Sequence, residues 1–371
     1  MSNREARIGI IGTGKIGNSH LRKYAEIDGA EIVAVADIDA GAAAKAADEH
    51  GVPHVYTDYH ELLERDDIEA VDVCLHNMLH RPVSCDAMRA GKHVYCEKPI
   101  AATYADGLAM VECSRSTGRM LHIQIGTMFG APARAAKEVV ESGRCGEIYH
   151  ARAFVNLKRN RPFVDGKNSP QFVQRETAGG GALIDWGIYA ICRVLYPMGN
   201  PTVERITGQT YDRLPMDQQL REESGYNVDE MGAGFVHFEN GATLDVLAAW
   251  ALNLDEDAGC CLAGEKGGII FAPFFARDVP AVRFFSAVDE PWVREPLDLE
   301  AAKARWDKAG DGDAYDSPQH HWVRVLQGAV PPMPTAEVAL NMILIAEGIY
   351  RAADLGREVR AEEITDFEPA D

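Results

Sequence analysis

The chain is short of positive charge: 37 lysines and arginines face 57 acids in 371 residues, a formal charge of −20. A field of that sign repels nucleic-acid backbones and anionic bilayers, so neither is an expected partner. Long apolar runs are missing as well. No uncharged apolar stretch reaches the roughly 18 residues needed to span a bilayer, and Met1 to Arg7 holds no apolar core of the secretory kind. Paired cysteine motifs are also absent. The eight cysteines stand singly apart from Cys260-Cys261, with no Cys-x-x-Cys, which reads as reduced, mostly buried thiols. Together these absences set the expectation of a cytoplasmic protein. No metal is expected either: His76 and His80 stand four apart but have no third ligand at a convincing spacing.

What is present supports a packed core, with 46% hydrophobic and 25% charged residues over a length that suits two domains. The first 125 residues alternate short apolar strands (Arg7 to Ile11, Glu31 to Ala36, Ala70 to Leu75, His93 to Cys96, Met120 to Ile125) with helical stretches. That order predicts a doubly wound parallel sheet over residues 1–125. Beyond residue 125 the pattern turns mostly to strands, with a hairpin signal at Glu239-Asn240-Gly241. Residues 126–371 are therefore expected to form an α+β domain with an open-faced, mostly antiparallel sheet. A helix is expected from Ala182 to Met198, and a final one at about 336–355 could pack back on the first domain.

Gly12-Thr13-Gly14-Lys15-Ile16-Gly17 follows the first strand and opens the first helix. In that context glycines serve a tight turn, a close approach to a pyrophosphate, and helix–strand packing. The helix N-terminus supplies N–H groups to phosphates, a local answer to the acidic global field. Asp37 ends the second strand, twenty residues beyond Gly17, with Ile38-Asp39-Ala40 rather than a base after it. A carboxylate there accepts from ribose hydroxyls and repels a 2′-phosphate, so NAD is expected over NADP.

Three further places suit hydride-transfer chemistry. Leu75-His76-Asn77-Met78-Leu79-His80 closes the fourth strand, and Glu97-Lys98-Pro99 closes the fifth. Ligands of open parallel sheets bind at such carboxyl ends. The third is Gly179-Gly180-Gly181 followed by Asp185 and Tyr189, spaced i and i+4 on a helix. Oxidising an alcohol needs a base for the hydroxyl proton. A free tyrosine, with a pKa of about 10, is a poor one at neutral pH; a nearby ammonium such as that of Lys98 stabilises the phenolate. Asp185 could orient the lysine or the substrate.

The glycine fingerprint, the Glu-Lys-Pro element and the glycine run with Asp185 and Tyr189 together resemble the Gfo/Idh/MocA oxidoreductases, over nearly the whole chain. The resemblance implies a Rossmann domain, a C-terminal sheet that forms a homodimer or homotetramer, and oxidoreduction of sugars or polyols. By matching position it implies catalytic roles for Lys98, Asp185 and Tyr189, which also touch substrate. It places Asn77 and His80 near the nicotinamide, beside Leu75, Glu97 and Lys98. Three positions depart from the family pattern: Tyr189 stands where inositol dehydrogenase-like members carry histidine, His76 replaces the usual proline, and the arginine common after the sixth strand is missing from Gly126-Thr127-Met128-Phe129.

The overall expectation is an NAD-dependent dehydrogenase of a sugar, polyol or related cyclic alcohol, with Tyr189 as base. Two alternatives stay open: a glycoside-cleaving or epimerising enzyme that recycles tightly bound NAD, and a non-catalytic nucleotide sensor. Arg159, Arg161 and Arg175 read as solvated loop residues, with Arg175 also a candidate for a sugar hydroxyl or carboxylate. His320 and His321 read as structural, and Trp186 as core.

Overall fold

In the computed structural model, residues 4–166, 168–254, 259–277, 279–288, 291–310 and 312–365 are described. Met1 to Asn3, in the stretch read above for a secretory core, lie outside them. Contacts divide the chain into two compact units. The first holds Met1–Ala101, Asp106–Gly126 and Trp306–Ala336; the second holds Ala102–Ala105, Thr127–Arg305 and Glu337–Asp371.

The first unit is built on six parallel strands: β1 (Ala6–Ile11), β2 (Ala30–Ala36), β3 (His54–Tyr56), β4 (Ala70–Val73), β5 (His93–Cys96) and β6 (Leu121–Ile123). They lie in the order β3-β2-β1-β4-β5-β6. The order reverses between β1 and β4, and a crevice for a ligand opens at such a switch point. Ile8, Ile10, Val35 and Tyr95 of the strands pack with Leu21 and Tyr24 of helix α1 (Lys15–Tyr24) and with Trp322 in one buried cluster. Helix α2 (Ala40–His50) starts where the Asp39 carboxylate accepts from the Gly41 and Ala42 N–H groups, and stops at left-handed Gly51. One sequence expectation was too long: the sixth strand, expected over Met120 to Ile125, keeps only three residues.

The second unit carries nine strands: β7 (Ile148–Asn156), β8 (Val203–Tyr211), β9 (Met231–Phe238), β10 (Thr243–Ala249), β11 (Cys261–Gly264), β12 (Gly268–Phe271), β13 (Val282–Ser286), β14 (Val293–Pro296) and β15 (Val359–Arg360). Their order is β14-β13-β12-β11-β7-β10-β9-β8-β15. Every pairing is antiparallel except β7 with β10, where Ala151 lies opposite Leu244. The expected hairpin joins β9 and β10, with Gly241 at φ +83°. Alternation in β7 buries Ala151, Ala153 and Val155 on one face and leaves Arg152, Phe154 and Asn156 partly open on the other.

The helix expected from Ala182 to Met198 forms in two parts. Leu183–Gly187 is a π-helical turn and Ile188–Leu195 is α-helical. Such bulges are frequent at functional sites. Asp229, distant in sequence, caps the start of this segment: its carbonyl accepts from the Ala182 N–H and its carboxylate from those of Gly181 and Leu183.

Candidate active site

In the first unit the glycine loop leaves no room for side chains inside and open room outside. A Cβ on Gly17 would collide with the Gly12 carbonyl oxygen, and one on Gly12, at φ +95°, with that of Cys74. A Cβ on Gly14 would meet nothing within 4 Å, so its smallness serves an approach from outside. Gly14 is also the N-cap of α1 and offers no side-chain acceptor to the first turn. That turn can give its N–H groups to a pyrophosphate. Thr13 and Asp37 complete the loop: one Asp37 oxygen accepts from the Thr13 N–H at 2.7 Å and hydroxyl at 3.0 Å, and the other from the Asp39 N–H at 2.9 Å. Asp37 thus braces the loop while staying partly exposed beside it. These residues fit a dinucleotide.

At the ends of β4 and β5 the expected residues do different jobs. Asn77 opens the helix Asn77–Arg89, with His76 as its exposed N-cap. His80 is fully buried, Nδ1 facing the Pro99 carbonyl at 2.8 Å and Nε2 the Leu75 carbonyl at 3.1 Å. Burial lowers its pKa against the pull of those carbonyls, so the ring is neutral at pH 7 and donates once. What His80 can offer a cofactor is the placement of the Leu75 and Pro99 backbone.

Lys98 precedes a cis proline and is partly buried. Its N–H donates to Glu97 Oε2 at 3.0 Å. The other Glu97 oxygen lies 2.9 Å from His20 Nε2, and His20 Nδ1 lies 2.8 Å from Asp72 Oδ2. Both Glu97 oxygens are thus taken up within the protein. Burial, the largest single influence, would raise the Glu97 pKa; the His20 bond and charge, with the Lys98 charge and N–H, together outweigh it and hold the carboxyl below its usual range. Sequence reasoning missed His20 and Asp72. The signal available was an aspartate inside the apolar strand Ala70–Val73, a position that demands a partner.

In the second unit the glycine run is fixed by Asp229, which is buried. Its Oδ1 accepts from the Gly181 N–H at 2.8 Å and from the Tyr350 hydroxyl at 2.6 Å; its Oδ2 accepts from the Leu183 N–H at 3.2 Å. A Cβ on Gly181 would strike the Asp229 carbonyl oxygen. Burial raises the Asp229 pKa, and these hydrogen bonds only partly offset it. Asp185, on the π-helical turn, accepts at Oδ2 from the indole N–H of fully buried Trp250 at 2.9 Å. Trp250 in turn packs with Val173, Ala182, Tyr226 and Val228. Neither Trp250 nor Asp229 carried a motif that marked it. Tyr189 is the second residue of the following α-helix, its ring 5.8 Å from that of Trp186. Trp186 is only half-buried and also meets Phe274 and Phe275.

The arginines separate sharply. Arg159 is exposed, as expected. Arg161 corrects the solvated reading: it is 1% exposed and ion-paired to Asp165 and Glu230 at 3.1 Å each. Its role is internal. Arg175 opens a short helix and lays its guanidinium over the Tyr350 ring, 5.1 Å from the centroid. His321 is fully buried and accepts from the Met333 N–H, while His320 meets Ser317, the N-cap of the helix Pro318–Leu326 that holds both histidines.

The chain is similar to known oxidoreductases over most of its length. Residues 6–125 match the family described as oxidoreductase family, NAD-binding Rossmann fold, and residues 133–270 match the GFO/IDH/MocA C-terminal domain. D-glucoside 3-dehydrogenase of Escherichia coli (strain K12) is 29% identical over 283 residues, 74% of this chain and 79% of its own. Inositol 2-dehydrogenase of Salmonella typhimurium (strain LT2) is 30% identical over 270 residues, 70% of this chain and 72% of its own. The fold is shared with levoglucosan dehydrogenase solved in complex with NADH, at TM-score 0.79 and 21% identity over 96% of this chain and 99% of that one. The chain belongs to the Gfo/Idh/MocA family of NAD-binding oxidoreductases.

Proposed function

We propose that the protein is an NAD-dependent dehydrogenase of a sugar, polyol or related cyclic alcohol. The observation that carries this reading is a cofactor loop closed by Asp37, in a chain whose curated relatives include glucoside and inositol dehydrogenases. When bound, the nicotinamide supplies the hydride acceptor. The chain supplies the rest. Tyr189 takes the hydroxyl proton, the Lys98 ammonium stabilises the phenolate that makes this feasible, and Asp185 orients the reacting group. Arg175, held over Tyr350, contributes to substrate binding. Asp37, with no base following it, favours NAD over NADP.

The exposed face of the nine-stranded sheet, with Phe154, Phe235 and Ile270 among its residues, joins copies of the chain as a homodimer or homotetramer. Sedimentation of the purified protein checks that assignment. Among the described residues no helix is long and apolar enough to cross a membrane, and we place the enzyme in the cytoplasm.

The deciding experiment is a screen of aldoses, inositols, and methyl and anhydro sugars, following NADH formation with NAD and NADP in parallel. Turnover of at least one of them with NAD, lost by about a thousandfold in Lys98→Met, supports the reading. A wild-type protein that turns over none of them overturns it in favour of a sensor. Turnover without net NADH selects the recycling alternative.

A further inference from the structure

The cluster beneath Lys98 has an arrangement that the proposed reaction does not by itself require. The His20 side chain is 4% exposed and the Asp72 side chain not at all. Each ring nitrogen of His20 faces a carboxylate, Asp72 Oδ2 at 2.8 Å and Glu97 Oε1 at 2.9 Å. A neutral imidazole has one N–H and could satisfy only one of them; an imidazolium satisfies both. Glu97 then spends its second oxygen on the Lys98 N–H at 3.0 Å. The path is continuous from Asp72 in the middle of the sheet, through His20 on α1, to the backbone of Lys98.

We propose that His20 is a positioning residue for Lys98: held as an imidazolium between Asp72 and Glu97, it fixes the Glu97 carboxylate that in turn anchors the lysine. The inference rests on the reading of Lys98 as the ammonium of the hydride-transfer reaction. Two carboxylates around one cation leave one negative charge beside Lys98, a field that favours its ammonium form.

The groups around the ring support a persistent cation. Cys74 Sγ lies 3.3 Å from His20 Nδ1 and 3.3 Å from Asp72 Oδ1. Tyr95 meets the ring edge-on at 5.9 Å, and Tyr24 on the same helix faces Asp72. Burial is the largest single influence and opposes the charge on His20, yet Asp72 and Cys74 together outweigh it and the pKa rises well above the ordinary value. His20, Asp72 and Cys74 are metal-ligand types with their atoms within 4.8 Å of one another. They are hydrogen-bonded to each other, which explains their grouping without an ion.

Two alternatives make different predictions. His20 could serve the glycine loop, since a Cβ on Gly17 would lie 3.6 Å from the Cys74 side chain. It could also be a neutral packing residue. Three readouts on the full-length protein separate these from the proposal. The first is imidazole nitrogen NMR of protein labelled with ¹⁵N-histidine, with the His20→Gln spectrum as reference. The signal lost in the variant should show both nitrogens protonated at pH 9, well above the ordinary histidine pKa of about 6.5. A neutral ring at that pH overturns the proposal.

The second readout is the crystal structure of His20→Gln, in which Glu97 should leave the Lys98 N–H. An unchanged Glu97–Lys98 bond contradicts the idea. The third is steady-state kinetics with NAD and whichever sugar of the screen turns over fastest. His20→Gln should lower kcat about 10- to 100-fold, the scale of a displacement near 1 Å, with the Kd for NAD, read from fluorescence quenching, within twofold. Glu97→Gln should cost a similar factor, and the double variant no more than the worse single one, since both act on one link. Multiplying effects, or a raised Kd for NAD with kcat intact, overturn the proposal. If His20→Gln does not fold, Asp72→Asn provides the same three measurements on the other side of the ring. Failure of the underlying reading looks different: Lys98→Met would keep its kcat while the NMR and crystal results stood.

Discussion

Glu97 and Asp229 do similar work in different surroundings, and the contrast between them shows how this chain holds reactive residues in place. Each is a largely buried carboxylate that accepts backbone N–H groups next to a residue of the proposed site. Glu97 takes the Lys98 N–H, and Asp229 takes those of Gly181 and Leu183 ahead of Asp185. Beside Glu97 stands a cation, His20, and the carboxyl is held below its usual range. Beside Asp229 stands a neutral phenol, that of Tyr350, and burial raises the carboxyl above its usual range. Hydrogen bonds to backbone are common to both, so the counter-charge decides the sign.

The largest effect should come from breaking the neutral arrangement outright. Asp229→Ala leaves the Gly181 and Leu183 N–H groups and the Tyr350 hydroxyl buried without this acceptor. The expected cost is about 3 kcal/mol or more, read by chemical denaturation. Loss of the cap should also let the π-helical turn at Asp185 relax, so activity should fall further than stability alone explains. Next comes Trp250. Trp250→Ala removes a fully buried ring and should cost about 3–5 kcal/mol. Trp250→Phe keeps most of the packing, removes only the N–H to Asp185, and should lower kcat about tenfold while costing roughly 1.5–3 kcal/mol for the lost bond to a carboxylate.

A smaller change sharpens the cofactor side. Asp37→Ser removes the charge that repels a 2′-phosphate, and the ratio of kcat/KM for NAD over NADP should fall by about ten- to a hundredfold. Preference for NADP in the wild type would show that Asp37 serves only to brace Thr13.

Much of this was legible before the structure. The βαβ alternation, the glycine loop and the strand-end position of Lys98 follow from local patterns, because periodicity and turn chemistry are local properties. The Glu239-Asn240-Gly241 hairpin was legible for the same reason. What could not be read were partners distant in sequence. Trp250 reaches Asp185 across 65 positions and Asp229 reaches Gly181 across 48. Both meetings depend on how β9 and β10 pair with the sheet, which no spacing rule encodes. Arg161 was misread because the residues before it, Lys158-Arg159-Asn160, are polar; its partner Glu230 lies 69 positions away. Helix type failed similarly, since local propensity does not mark the π-helical turn at Asp185, whose start is capped by Asp229 from far along the chain.

The contrast between the two carboxylates is tested most directly by stability measured against pH for the wild type, Glu97→Gln and Asp229→Asn. The sign follows from each shift. Glu97, with its pKa depressed, contributes stability that is present above the unfolded value of 4.5 and lost as pH falls through the folded one. Asp229, with its pKa raised, contributes stability that is present below 3.8 and lost as pH rises through the folded value. From pH 7 down to about 3.5 the wild-type advantage over Glu97→Gln should hold and then shrink, while the advantage over Asp229→Asn should grow. Parallel curves for the two variants would contradict the claim that the counter-charge, rather than the backbone hydrogen bonds, sets how each carboxylate is held.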